Sequence, residues 1–291
     1  MTMRSLLFVP GDSARKQDKA METGADLLIL DLEDSVALSA KEDARKLTRA
    51  FVERNKGVGP LLYVRVNDLS TALTDADLEA VMPAAPDGIM LPKANHADHV
   101  TELSARLCLL EARHRIAEGE TRILPLITET AEGVLNAPTH ARPNTRLSGL
   151  TWGAEDLSAS VGALVARDYR GCYTALFQHA RTMAILAAAA AGVPAVDTVY
   201  PDFRNEEGFA SDCAEAVRDG FTAKMAIHPG QVSVINAVFT PSPEAVAQAK
   251  EVVEAFARSV GAGVISLNGK MYDRPHLRLA ERLLARLTLA L

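Results

Sequence analysis

Two acids, Glu129 and Asp156, each follow an apolar run with the texture of a buried strand. The runs are Ile123-Leu124-Pro125-Leu126-Ile127 and Leu147-Ser148-Gly149-Leu150-Thr151-Trp152. The 27 positions separating the two acids make about one strand–helix repeat. In a parallel α/β barrel that spacing sets both side chains on the same rim of neighbouring strands. No Cys or His cluster stands near them in the sequence. The pair therefore suits a hard divalent cation such as Mg²⁺, and metal-assisted catalysis is the first chemistry these residues suggest.

The elements that would have to position the pair follow from alternation. Strand-like apolar runs at 4–9, 26–32, 61–66, 88–91, 122–128, 148–153, 194–199 and 223–227 are separated by longer segments rich in Ala, Glu, Lys, Arg and Leu. Helices are expected at 13–23, 39–54, 75–82, 97–118, 132–138, 173–192, 206–219 and 230–237. Nearly continuous apolar strands mean that both faces of the sheet are covered. Eight strands without a G-x-G-x-x-G after the first predict an α/β fold of the (β/α)8 TIM-barrel type over 1–240, rather than an open dinucleotide-binding sheet. Beyond it, 241–291 reads as a helical extension. Pro241-Ser242-Pro243 opens a helix over 243–260, Gly261-Ala262-Gly263 breaks it, and a polar loop leads to a last helix over 276–289. Such a tail either closes its own barrel or reaches a neighbouring subunit.

Composition narrows the classes. With 291 residues, 48% of them hydrophobic, a full-sized core needs no disulfide or structural metal. A net charge of −6 without a basic block argues against nucleic acid or an anionic membrane surface as partner. Cys108, Cys172 and Cys213 are too scattered for a zinc site or a disulfide scaffold. The apolar run near Met1 is strand-sized, and Ala187–Ala191 lies within a polar-flanked helical pattern, so a cytoplasmic protein is expected.

The predicted strand ends carry polar residues beyond what helix capping demands. They are Pro10-Gly11, Asp31-Leu32-Glu33-Asp34, Arg65-Val66-Asn67, Pro92-Lys93, Glu129-Thr130, Gly153-Ala154-Glu155-Asp156 and His228-Pro229-Gly230. Strand alternation puts Asp31 and Glu33 on one face and Asp34 on the other. Bland roles compete for several of them. Glu129 could be an early helix residue favoured by the dipole, Asp156 an N-cap, Lys93 a solvated loop cation and His228 a packing histidine.

These strings together resemble the citrate lyase β-subunit-like family of the HpcH/HpaI aldolase superfamily, which includes malyl-CoA and citramalyl-CoA lyases. The resemblance is carried by Arg4 to Gly11, by Gly24-Ala25-Asp26 with Leu30 to Val36, and by Val64-Arg65-Val66-Asn67. It continues through Leu91-Pro92-Lys93, Thr128-Glu129-Thr130, Gly133 to Ala137, Gly153 to Leu157, Ala226 to Val232 and Met271 to Pro275. It runs the length of the chain and implies a barrel that assembles as a homotrimer or hexamer and uses Mg²⁺. Glu129 and Asp156 would be the metal ligands. Arg65 would grip the oxoacid end, with Phe8 to Gly11 and Gly153, Ala154 and Glu155 lining the pocket. Asp273 would enter a neighbour's site and act on the acetyl carbon, with Glu33 as the in-barrel competitor for that proton role.

The activity so implied is a Mg²⁺-dependent carbon–carbon lyase. It would split a β-hydroxyacyl-CoA of the malyl-CoA or citramalyl-CoA type into acetyl-CoA and a 2-oxoacid by retro-Claisen chemistry. Arg15, Lys16 and Lys93 are candidates for the CoA phosphates. The alternatives are a citrate lyase β subunit acting on citryl-acyl-carrier protein, a malyl-CoA thioesterase, and a non-catalytic metabolite-binding subunit.

Overall fold

The computed structural model describes residues 3–259 and 261–288. Its first half runs β1 (Ser5–Pro10), α1 (Ala14–Ala20), β2 (Leu27–Asp31), α2 (Lys41–Asn55), β3 (Leu61–Arg65), α3 (Leu73–Val81), β4 (Gly88–Leu91) and α4 (Ala97–His114). Then come β5 (Arg122–Pro125), α5 (Ala131–Asn136), β6 (Leu150–Thr151), α6 (Glu155–Val161), α7 (Ala175–Ala191), β7 (Ala195–Asp197), α8 (Glu206–Asp219), β8 (Ala223–Ala226) and α9 (Pro229–Phe239). All eight parallel strands fall within or beside the expected runs. Their order is β5-β4-β3-β2-β1-β8-β7-β6, and isolated parallel bridges Ile123↔Leu147 and Leu126↔Thr151 bring the last pair together. The result is a nearly closed (β/α)8 barrel.

Period-two alternation sorts the side chains. Leu6, Leu27, Ile29, Tyr63, Met90, Leu124, Leu126, Val196 and Met225 pack inside the barrel, while Leu28, Leu30, Leu62, Val64 and Ile89 pack against the helices. The inward parity continues to the rim, where Asp31 and Arg65 are direct cross-strand partners in the β2–β3 register. That register makes them neighbours.

The tail holds α10 (Pro243–Arg258), an antiparallel hairpin of β9 (Val264–Leu267) and β10 (Lys270–Asp273), and α11 (Arg274–Thr288). The expected ends at 260 and 289 lie outside the described residues. Val252, Phe256, Ile265 and Ala280 form a small core separate from the two barrel clusters. The stretch read as a polar loop is thus a hairpin. Its turn is Asn268-Gly269, both at positive φ (52° and 74°), the backbone that a tight two-residue turn requires. A second difference is α6, absent from the expected helices although a helix-like stretch follows the candidate cap Asp156. It is a seven-residue helix ended by Gly162 in the left-handed region at φ 71°. No helix among the described residues is long and apolar enough to cross a membrane.

Candidate active site

The carboxyl ends of the strands surround a cavity of about 420 Å³. Its wall includes Phe8, Asp31, Asp34, Arg65, Glu129, Gly153, Ala154, Glu155 and Asp156, with Leu126, Val199 and Met225 as apolar lining. Of the residues singled out from sequence, Glu33 is buried but does not line this cavity. Asp273 stands apart from it as well, at the end of β10. Asp34, expected to turn away, lines the cavity and lies 3.9 Å from Arg65 Nη1.

Arg65 organises one side. Its Nε and Nη2 donate to the two oxygens of Asp31, each at 2.7 Å, and Nη1 lies 3.0 Å from Glu33 Oε2. The guanidinium also rests over the Phe8 ring, 4.9 Å from its centroid. Burial alone would lower the arginine's proton affinity, but the hydrogen bonds to Asp31 and the charges of Asp31 and Glu33 outweigh it and raise it. Burial would likewise raise Asp31, and the Arg65 pairing reverses that to a net lowering. Both partners stay ionised. A guanidinium has five N–H donors and Asp31 takes two, so donors remain for a bound anion.

Glu129 organises the other side. It is 3% exposed and precedes Thr130, the N-cap of α5, so it is not the early helix residue of the bland reading. Its Oε2 accepts a 2.6 Å hydrogen bond from the Lys93 backbone amide, while Oε1 has no hydrogen-bond partner among the described residues. Gly153 makes this packing possible, because a Cβ there would sit 2.8 Å from Glu129 Cγ. Asp156 lies in the first turn of α6, half-buried, and Ala154 rather than Asp156 is the N-cap.

Burial, reinforced by the like charges of Glu33 and Asp156, pushes the Glu129 carboxyl up to about 8. A carboxylate that resists ionisation in this way is a good recipient for a cation. No group of three or more His, Cys, Asp or Glu side chains stands at ligand spacing among the described residues. Glu129 and Asp156 are the two carboxylates that would hold such an ion, with room beside them for substrate and water.

Two predictions arise here. Gly153→Ala is expected to displace Glu129 and weaken divalent-cation binding about 10- to 100-fold, as read by calorimetric titration. Second, below its raised pKa Glu129 holds a proton that an incoming cation must displace. Cation affinity should therefore climb about tenfold per pH unit up to about pH 8 and level off above it. An affinity independent of pH between 6 and 8 would contradict this.

Lys93 belongs to the site and is not a solvated loop cation. Its backbone is left-handed at φ 47°, and its ammonium lies 2.7 Å from Glu33 Oε1 and 3.9 Å from Asp156 Oδ1. Strand 4 ending in Pro92-Lys93 was the available signal. His228 is a helix cap: its Nδ1 accepts from the Gly230 amide, and Gln231 Oε1 accepts from the His228 amide.

Residues 4–229 match the HpcH/HpaI aldolase/citrate lyase family. The chain belongs to this family. Among its members, (3S)-malyl-CoA thioesterase of Cereibacter sphaeroides is 36% identical over 97% of this chain and 94% of its own length. Mitochondrial citramalyl-CoA lyase of Rattus norvegicus is 33% identical over 96% of this chain and 84% of that protein. The crystal structure of CitE from Mycobacterium tuberculosis, in complex with magnesium, acetoacetate and coenzyme A, superposes with a TM-score of 0.78 at 34% identity. That superposition covers 98% of each chain, so the likeness extends past the family match into the tail.

Proposed function

We propose that this chain is a Mg²⁺-dependent carbon–carbon lyase that splits a malyl-CoA or citramalyl-CoA type thioester into acetyl-CoA and a 2-oxoacid. The supporting observation is the one cavity that Glu129, Asp156 and the fork of Arg65 line together. When bound there, Mg²⁺ supplies Lewis acidity at the substrate hydroxyl that becomes the oxoacid carbonyl, worth several kcal/mol.

The protein's own residues do the rest. The remaining N–H donors of Arg65 hold the substrate carboxylate, and the Asp31 pairing keeps the fork from rotating. Leu126, Val199 and Met225 exclude water from the carbons that part. The hydroxyl proton passes to water, the bond between the carbinol carbon and the thioester α carbon breaks, and its electron pair passes to the thioester enolate. The enolate then takes a proton at carbon.

We assign that proton to Asp273 of a neighbouring copy in a trimer or hexamer, ahead of Glu33. Glu33 is tied to both Lys93 and Arg65 and does not line the cavity. Asp273 is half-buried, and the His276 imidazole 2.6 Å away holds its carboxyl below the usual range. It thus accepts the methyl proton in the condensation direction and, once protonated from water, gives one to the enolate carbon in cleavage. Asp273→Asn is expected to keep metal binding while slowing deuterium exchange at the acetyl-CoA methyl group about 10²-fold or more, followed by NMR. Unchanged exchange gives the role to another acid.

The reading as a whole is tested by a panel with Mg²⁺: malyl-CoA, citramalyl-CoA, hydroxymethylglutaryl-CoA, free citrate and citryl-acyl-carrier protein. Release of an oxoacid from a CoA thioester supports it. Hydrolysis to the free hydroxyacid would favour the thioesterase reading that the 36% identical relative suggests. Cleavage of the carrier-bound citryl group alone would make the chain a citrate lyase β subunit.

A further inference from the structure

Lys93 touches the acid cluster twice. Its main chain, in the left-handed region that a residue with a Cβ seldom adopts, aims the amide at Glu129 Oε2 at 2.6 Å. Its side chain brings the ammonium to 2.7 Å from Glu33 Oε1 and 3.9 Å from Asp156 Oδ1. The other cation nearby, Arg65, gives two nitrogens to Asp31 and sets the third beside Glu33 Oε2, without an ion pair to Asp156. Among the described residues Lys93 is the one cation paired with Asp156.

We infer that the Lys93 ammonium is the resident counter-charge of this cluster and limits how tightly the site takes up a divalent cation. The inference rests on Glu129 and Asp156 being the metal ligands. Without a metal, the charges of Glu33 and Asp156 repel each other and oppose ionisation of Glu129, and the ammonium beside both offsets that repulsion. With a metal, the same ammonium remains anchored on Glu33 beside a ligand carboxylate and repels the incoming charge. The side chain is 25% exposed, so the repulsion is only partly screened by water. The protein thereby keeps a preformed acidic site at the cost of a looser, more readily exchanged ion.

The test is Mg²⁺ titration calorimetry at one pH on the wild type, Lys93→Met, Lys93→Arg and Glu129→Gln, with thermal melting of each with and without Mg²⁺. Lys93→Met is expected to bind Mg²⁺ at least about tenfold more tightly than the wild type and to gain more in melting temperature from the metal. Lys93→Arg keeps the charge and should bind as the wild type does. Tightening is a distinctive result, because structural damage at a metal site weakens binding. Should Lys93→Met fail to fold, Lys93→Gln removes the same charge while keeping a polar contact to Glu33. Loss of binding in Glu129→Gln with unchanged or weaker binding in Lys93→Met overturns this inference alone. Absence of Mg²⁺ uptake by the wild type, or wild-type uptake by Glu129→Gln, removes the ligand assignment and this inference with it.

Discussion

Glu129→Gln is expected to give a folded barrel that no longer takes up Mg²⁺ and turns over its thioester at least about 10³-fold more slowly. The magnitude follows from a Lewis-acid contribution of several kcal/mol at about 1.4 kcal/mol per tenfold in rate. The substitution is close to isosteric. The amide oxygen can still accept the Lys93 N–H, and the shorter approach permitted by Gly153 is preserved. What disappears is the ability to carry negative charge. Burial and neighbouring acids already push the native carboxyl up to about 8, so at neutral pH the metal-free wild type holds it largely protonated. Ionising it works against the fold, a cost that grows as pH rises from the ordinary glutamate range through about 8 and is absent below that range. The metal-free variant should therefore melt no lower than the metal-free wild type at pH 7, and higher at pH 9. Calorimetric titration, melting curves and oxoacid release separate loss of the ligand from loss of the fold. Wild-type turnover in this variant would exclude Glu129 from the chemistry.

Arg65→Lys should cost about 10²- to 10³-fold in kcat/KM while leaving Mg²⁺ affinity within a few-fold of the wild type. Charge is conserved, so the loss measures geometry. A lysine cannot span both oxygens of Asp31, reach Glu33 Oε2 and still present donors to a substrate carboxylate. Nor can it lie flat over Phe8 as the guanidinium does. KM is expected to rise and kcat to fall, because the same fork both binds the oxoacid end and holds it in the reactive pose. Stability should drop by about 1–3 kcal/mol, since buried acceptors on Asp31 lose a partner. Steady-state kinetics on the preferred thioester decide the matter; an unchanged kcat/KM would show that Arg65 only balances the rim acids.

These two residues differ in how far local pattern foretold them. Arg65 ends an apolar run whose inward positions, Leu61 and Tyr63, share its parity, and Asp31 follows Leu27 and Ile29 in the same way. Once the strands are placed side by side in parallel, the pair is almost forced. The proximity of Glu129 and Asp156 followed from their spacing, but the short helix that carries Asp156 did not. Leu157 is the single buried residue in that helix, too few for a 3.6-residue period to stand out. The hairpin in the tail announced itself through Asn268-Gly269 between two four-residue runs, a signal that the surrounding polar residues obscured.

What the sequence determined alone is the set of quantities with a short period. It settles which runs contain the strands, which side of each strand faces inward, and which polar residues stand at or just beyond most strand ends. Those are local consequences of backbone geometry and solvent, legible from a few neighbours at a time. The tertiary structure decided which of the polar ends meet. Lys93 lies 60 positions from Glu33 in the chain, and it reaches both Glu33 and Asp156 only because the strands curl until β5 meets β6. The buried state that raises Glu129 likewise exists only in the folded barrel. Charge interactions depend on distance through space and on the surrounding dielectric, and neither exists until the barrel is built.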